Sequence, residues 1–368
     1  MEVTVIIMNH IFEIAKKFNL PAEPVEAQEC KIGHINFTYF VTCDNGEKFV
    51  LQNINTNIFK DTDILMNNIV GVTSHIRKKL EAEGKDPLRG TLKFYCSENG
   101  LYYYKDEEGK SWRLYKYVDD VDCYQIADSI ELLERVGWAF GHFQMQLSDY
   151  DAGKLRETIP NFHNTPSRLN DFKIALEKDT AGRAASIPDD IKFVLDHAEV
   201  CSYIMDKIKE GDIPLRVTHN DTKLNNILMD HATGEPVCVI DLDTIMPGSV
   251  LFDFGDAIRF GASSALEDET DLSKVYMREE AFDAFAKGFV SGLEGSLSET
   301  EIMELPMGAL IITLETGIRF LTDYLNGDVY FRVHHAQHNL DRARNQFALV
   351  RDMEKKLPRM REIVKNYI

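Results

Sequence analysis

Along residues 27–52, AQECKIGHINFTYFVTCDNGEKFVLQ, apolar and polar side chains alternate. That is the period of strands burying one face. Asp44-Asn45-Gly46 lies between two such runs and predicts a hairpin turn. The pattern turns helical from Thr62 to Ala82. Shorter strand-like pieces follow at Leu92–Tyr95, Leu101–Tyr104 and Trp112–Val118, the last two punctuated by Glu107-Glu108-Gly109-Lys110. Beyond Asp120 the spacing is mostly helical. Leu133, Val136, Phe140, Phe143 and Leu147 step by three and four, as do Leu340, Ala343, Phe347, Val350, Met353 and Leu357. Thr158–Asp171, rich in Asn, Pro and His, reads as a loop. A strand-rich island at 215–243 interrupts the helices. The pattern predicts an α+β chain: a small strand-rich lobe, residues 1–117, and a larger, mainly helical lobe, residues 118–368.

The island carries the chemistry. It reads LRVTHNDTKLNNILMDHATGEPVCVIDLD. Leu215–Thr218 predict a strand running into a loop with Asp221 at its crest. Asn226 precedes a short strand, Asp230–Pro236 a turn, and Val237–Ile240 a return strand ending at Asp241. Pairing Met229 with Val237 brings Asn226 beside Asp241. An amide oxygen and a carboxylate suit Mg²⁺, which takes one or two protein ligands and fills its shell with water and phosphate. Asp221 stands just upstream, in reach of a substrate hydroxyl. These are the parts of an ATP-dependent kinase. The spacing from Asp221 to Asn226 is that of the protein-kinase catalytic loop H-R-D-x-x-x-x-N. A polar turn between buried strands gives the same two residues by chance. The preceding strand and His219, and the apolar hairpin ending in D-L-D, favour catalysis. Asp253-Phe254-Gly255 spell D-F-G, the metal-binding triplet of protein kinases. No hairpin returns Asp253 to Asn226, so the metal role goes to Asp241. Asp243, two residues past Asp241, is a candidate for a second metal contact or a substrate contact.

Further motifs extend along the chain: G-H-I-N-F-T-Y at 33–39, F-V-L-Q at 49–52, R-L-Y-K-Y at 113–117, L-F-D-F-G-D-A-I-R-F-G-A-S at 251–263 and G-I-R-F-L-T-D-Y-L-N-G-D-V-Y-F at 317–331. With H-N-D-T-K-L-N-N and I-D-L-D-T-I-M-P-G-S, the chain resembles the aminoglycoside phosphotransferase-like small-molecule kinases. Within them it most resembles the N-acetylhexosamine 1-kinases. The resemblance implies a bilobal protein-kinase-like fold, with ATP between the lobes and an N-acetylhexosamine held mainly by the helical lobe. It implies phosphorylation of the C1 hydroxyl of N-acetylglucosamine or N-acetylgalactosamine. It points to His34, Phe260, Arg319 and Tyr330, with Asp221, as sugar contacts. Arg offers a planar fork of donors, and aromatic faces suit a pyranose. Without the resemblance, Phe260 and Tyr330 read as core residues.

The nucleotide end departs from protein-kinase grammar. The candidate phosphate loop, with Gly33, His34, Ile35 and Asn36, has one glycine, which a plain hairpin would also use. Gln52 stands where the phosphate-binding lysine is expected, and the 62–82 helix offers no mid-helix glutamate. Lys48 is read as facing away from Gln52. Tyr115, Lys116, Tyr117 and Val118 resemble a kinase hinge, whose backbone holds adenine; the alternative is an ordinary edge strand.

Composition narrows the rivals. The 368 residues carry 60 acidic and 41 basic side chains, a net charge of -19. A nucleic acid or an anionic membrane is thereby disfavoured as a partner, and bound phosphate needs Mg²⁺ or local positive charge. The six cysteines form no C-x-x-C pair and read as reduced thiols. No membrane-spanning stretch or signal peptide is read, so the expected location is cytoplasmic. Protein partners are not read from the sequence. His334, His335 and His338 read as a solvated helix start. Rival readings are a kinase for choline, homoserine or an aminoglycoside, and an inactive nucleotide-binding module. Intact Asp221, Asn226 and Asp241 argue against the last.

Overall fold

The computed structural model describes residues 2–30 and 36–368, with side chains from Asn9 onward at the N-terminal end. They form two compact units. The first runs to Asp122 and adds Gly153–Pro160 and Leu228–Met246. The second comprises Cys123–Ala152, Asn161–Ile227 and Pro247–Ile368. The sequence reading drew one boundary, between 117 and 118. The observed grouping instead assigns Asp241 and Asp243 to the strand-rich unit.

In the first unit, α1 (Glu2–Ala15) precedes an antiparallel sheet. Its strands are β1 (Pro24–Cys30), β2 (Phe37–Cys43), β3 (Lys48–Ile54), β4 (Tyr104–Lys105) and β5 (Ser111–Lys116), in the order β1-β2-β3-β5-β4. The predicted turn closes β2 onto β3: Gly46 has φ 84° and donates to the Cys43 carbonyl at 2.9 Å. One face of the sheet carries Val41, Phe49, Leu51, Trp112 and Leu114, packed with Ile11, Ile14, Ala15 and Phe18. The sequence reading did not foresee α1. Strand alternation sends Thr38, Phe40, Val50, Gln52, Arg113 and Tyr115 to the opposite face. There Gln52 pairs across to Thr38 on one side and Arg113 on the other. Lys48 and Gln52 are four residues apart and so share this face, contrary to the sequence reading. What removes Lys48 is about 13 Å of strand, at ~3.3 Å per residue, and its 2.9 Å ion pair with Asp119.

The helix α2 spans Thr62–Ala82 as predicted, capped by Asp61, which accepts from the Ile64 amide at 3.0 Å. The turn joining Ile227–Asp230 to Pro236–Val239 corrects the predicted register. Gly234, at φ 66°, donates to the Asp230 carbonyl, and the Asp230 amide donates to the Glu235 carbonyl, both at 2.8 Å. Asp230 thus faces two residues, a glycine bulge. Met229 falls opposite Pro236 rather than Val237.

The second unit is helical. The Ile130–Gln146 helix buries Leu133, Val136, Phe140 and Phe143, as its spacing predicts. It lies against Glu279–Gly292 at a separation that excludes side chains. A Cβ on Gly288 would stand 1.9 Å from the Glu134 carbonyl oxygen, and one on Gly141 2.1 Å from that of Phe289. The Glu299–Asn326 helix is, among the described residues, the one long and apolar enough by composition to cross a membrane. The sequence reading passed over it. Nearly all its apolar stretch is buried in the protein. Thr165–Lys178 is a helix that begins inside the predicted loop. Asn164 caps it, accepting from the Ser167 amide at 3.1 Å, and Pro166 sits in the first turn. His338 opens the His338–Lys365 helix but is 1% exposed, so that start is not solvated throughout.

Candidate active site

The loop bearing Asp221 is held by the helix Val250–Gly261. The Asp253 carboxylate accepts from the backbone amides of His219 (2.9 Å) and Asn220 (2.7 Å) and from the Gln144 side chain (2.6 Å). Its carbonyl accepts from the Thr222 hydroxyl at 2.6 Å. Burial raises the Asp253 carboxyl above its usual range even against these donors. Asp256, one turn further, accepts from the Thr222 amide at 2.9 Å. Asn220 bends the chain at φ 65°, a conformation that Asn tolerates. The D-F-G triplet is thereby explained. Asp253 braces the loop, and the Phe254 ring packs 5.4–5.7 Å from those of Phe282, Phe285 and Phe289. A Cβ on Gly255 would meet the Gly308 carbonyl oxygen at 2.4 Å.

Asp221 is half-buried. One carboxylate oxygen lies 2.6 Å from the Lys223 ammonium; the other accepts from Asn226 Nδ2 at 3.2 Å. The same Nδ2 donates to the Asp221 carbonyl at 2.8 Å. Asn226 thus spends its nitrogen on Asp221. Lys223 was missed from sequence. Its signal was the two-residue step from Asp221, which puts both side chains on one side of an extended segment. Burial opposes the Lys223 charge, but Asp221 and Asp256 hold its pKa above the ordinary lysine range. Its ammonium lies 5.4 Å from the Phe260 ring centre, and Arg259 lies 3.8 Å from the same ring.

A second cluster adjoins the loop. His163 Nε2 is 3.4 Å from the Asn220 carbonyl oxygen, and its Nδ1 is 2.8 Å from Glu315, which also accepts from the Thr165 hydroxyl at 2.7 Å. Burial raises the Glu315 carboxyl, but His163, Arg319 and Thr165 outweigh it and leave the pKa below the usual range. Arg319, one helical turn on, lies over the rings of Phe162 (5.4 Å) and Phe331 (5.6 Å). Asp323 fixes the following turn, accepting from the amides of Val329, Tyr330 and Phe331, each at 2.9 Å. That turn presents Tyr330, 61% exposed; Phe260 is 38% exposed. Neither is a core residue. Continuous contacts therefore join Asp221, Phe260, Arg319 and Tyr330 within one unit.

In the first unit, Asp241 is exposed and left-handed, at φ 58°. Asp243 is buried and already engaged. One oxygen pairs with the Arg113 guanidinium, and the other accepts from Asn36 Nδ2 at 2.6 Å. Gln52 Oε1 accepts from Arg113 Nε (3.0 Å) and Nη2 (2.8 Å), and its Nε2 donates to Thr38 at 3.0 Å. Gln52 and Tyr115 share a sheet face, with Phe40 stacked edge-on to Tyr117 at 5.4 Å. Tyr115 lies in β5, inside the sheet, with Phe94 bridged to its free side, so it is not on an edge strand. The Lys116 amide bonds the Lys93 carbonyl at 2.9 Å, the Tyr117 amide bonds that of Lys48 at 3.1 Å, and Val118 is buried. Gly33, His34 and Ile35 lie outside the described residues.

The family model described as APH, the phosphotransferase enzyme family, matches residues 26–284. Among solved structures, an aminoglycoside phosphotransferase from Alicyclobacillus acidocaldarius aligns at a TM-score of 0.61 and 12% identity, over 96% of each chain. A microcompartment-associated aminopropanol kinase aligns at 0.62 and 15%, over 96% of this chain and 98% of the other. An amicoumacin kinase, in complex with AMP-PNP, Ca²⁺ and Ami, aligns at 0.56 and 15%, over 97% and 93%. At such identities the likeness shows the fold, the bilobal kinase-like α+β arrangement. With the family model covering well over half of its length, the chain belongs to the APH phosphotransferase enzyme family.

Proposed function

We propose that this phosphotransferase moves the γ-phosphoryl group of ATP to the C1 hydroxyl of an N-acetylhexosamine. In this reading Asp221 orients the hydroxyl and accepts its proton as the new P–O bond forms and ADP leaves. Lys223, held against Asp221, offsets charge on the transferred group. Asn226 Oδ1 and the Asp241 carboxylate are the hard oxygen donors that would hold Mg²⁺. Bound there, Mg²⁺ would neutralise charge developing on the phosphates. Among the described residues no group of three His, Cys, Asp or Glu could hold a metal. The pattern suits an ion that completes its shell with phosphate and water. The sheet face carrying Phe40, Val50, Tyr115 and Tyr117 gives the apolar wall for adenine, beside the Tyr115–Val118 backbone.

The observation that carries the substrate class is the make-up of the acceptor cluster. Phe260, Tyr330 and Arg319 offer ring faces and a donor fork, which fit a pyranose and an acetamido carbonyl. Lys223 stands against Asp221, and Arg319 neighbours Arg168, whose pKa is lowered by burial and by Arg319. An ADP-release assay across N-acetylglucosamine, N-acetylgalactosamine, glucose, galactose, choline and homoserine tests this. Both acetylated sugars are expected to exceed glucose and galactose by at least about tenfold in kcat/KM, since unpaired buried polar groups cost ~1–3 kcal/mol each. Turnover of choline or homoserine with no sugar activity would remove the sugar reading and leave the kinase.

A further inference from the structure

We propose that His163 is a positioning residue for phosphoryl transfer, which holds the peptide unit between Asn220 and Asp221 and so aims the Asp221 carboxylate at the acceptor hydroxyl. The inference rests on the reading of Asp221 as the proton acceptor. His163 stands two residues before the Thr165–Lys178 helix, in the segment whose composition reads as a loop, and it is buried. Its ring is closely held. The rings of Phe162 and Phe252 lie 4.7 and 5.2 Å from its centre. Its Nδ1 is 2.8 Å from one oxygen of Glu315, whose other oxygen accepts from the Thr165 hydroxyl at 2.7 Å. Glu315 is fully buried in the 28-residue helix Glu299–Asn326, so the imidazole is tied to a core element of its own unit.

What this ring reaches is the Asn220 carbonyl, 3.4 Å from Nε2. A carbonyl only accepts, so Nε2 bonds it by donating. That carbonyl and the Asp221 N–H belong to one planar peptide unit. The Asp221 amide in turn donates to His219 Nδ1 at 3.3 Å. Two buried histidines, one donating and one accepting, therefore take opposite ends of the same plane. The Asn220 amide, one peptide earlier, donates to Asp253 at 2.7 Å. Asn220 itself sits at φ 65°, a left-handed conformation that costs a non-glycine residue free energy and persists where its surroundings fix it. The plane sets the direction in which the Asp221 side chain leaves the backbone, and the Lys223 and Asn226 contacts then orient its carboxylate. A general base works only within hydrogen-bond reach of the proton it takes, so a rotated plane lowers the rate without removing any group that binds substrate.

The test is a double-mutant cycle on kcat, measured with ATP and the fastest acceptor of the panel above, with melting as a check on folding. His163→Asn keeps an amide beside Glu315 and loses the reach to Asn220. A positioning role predicts a kcat at least ~tenfold lower, since a displacement of about 1 Å at a reacting group costs up to ~10²-fold. The KM values for ATP and acceptor should barely move. His163→Gln, whose amide nitrogen extends to the place of Nε2, should recover part of the loss. In an Asp221→Asn background His163→Asn should cost nothing further, because the group it aims is gone. The same loss in both backgrounds, or parent kcat in folded His163→Asn, overturns the inference. If His163→Asn does not fold, or no acceptor of the panel turns over, the ¹⁵N spectrum of the histidine-labelled parent decides. A proton on His163 Nε2 supports the bond to the Asn220 carbonyl; a bare Nε2 contradicts it. Parent kcat in Asp221→Asn alone would instead bring down the general-base reading, and the inference with it.

Discussion

At the residue scale, Asp221 is defined by what it touches. Lys223 and Asn226 occupy one carboxylate oxygen each, fixing its orientation without burying it. Asp221→Asn keeps the shape and removes the proton acceptor. Its kcat should fall ~10²–10⁴-fold with nucleotide affinity little changed. Retention of more than about a tenth of the parent kcat would remove the general-base role. Asp241 calls for a gentler substitution than alanine, because its φ of 58° suits Asn and strains other residues. Asp241→Asn should abolish divalent-cation-dependent turnover while the melting temperature stays within a few degrees of the parent. The pairing of Asp221 with Asn226 was legible because its spacing is set by local chain geometry. Arg113 was not. In S-W-R-L-Y-K it is one cation in a strand, and only the pairing of β5 with β3 sets it against Gln52.

At the element scale, the helix that opens at Val250 acts as a clasp. Two carboxylates on successive turns take the loop amides of His219, Asn220 and Thr222. Asp253→Ala leaves those amides and Gln144 without an acceptor, at about 1–3 kcal/mol for each unsatisfied group. A fall of roughly 5–10 °C in melting temperature is expected. A larger effect on cation dependence than on stability would reverse the roles of Asp253 and Asp241. Glu315 gives a pH signature. Its folded pKa lies below the ordinary value, so its contribution is present above the usual glutamate range and is lost as pH falls through the folded pKa. The urea midpoint of Glu315→Gln should therefore lie well below the parent's at neutral pH and converge with it at acid pH, below the usual glutamate range. Parallel curves would show that Glu315 is not held as a carboxylate. Elements with strict periodicity, β2, β3 and α2, were readable from their patterns. The Thr165–Lys178 helix was missed because its cap and proline resemble loop composition. The 227–239 register was missed because one left-handed glycine shifts the whole ladder.

At the scale of the whole molecule, a chain of net charge -19 sets one ammonium, Lys223, against Asp221. A local positive charge of that kind suits anionic phosphate. The fold and the phosphotransfer chemistry were legible in the catalytic-loop motif and the run of family-like segments. The proposed acceptor contacts Phe260, Arg319 and Tyr330 were read only through the resemblance, because they lie on separate helices and a turn that meet in the folded chain. Arg319→Ala carries this part of the account. It should lower kcat/KM for acetylated sugars by at least about tenfold, the cost of losing one charged hydrogen-bonding group, with nucleotide binding nearly unchanged. Equal loss for glucose would mean that Arg319 does not read the acetamido group. The most direct measurement is the ³¹P spectrum of the product formed from ATP and N-acetylglucosamine. The account predicts an acid-labile ester whose phosphorus couples to the anomeric proton. Coupling to the C6 methylene protons, or no sugar ester while choline is phosphorylated, would contradict it.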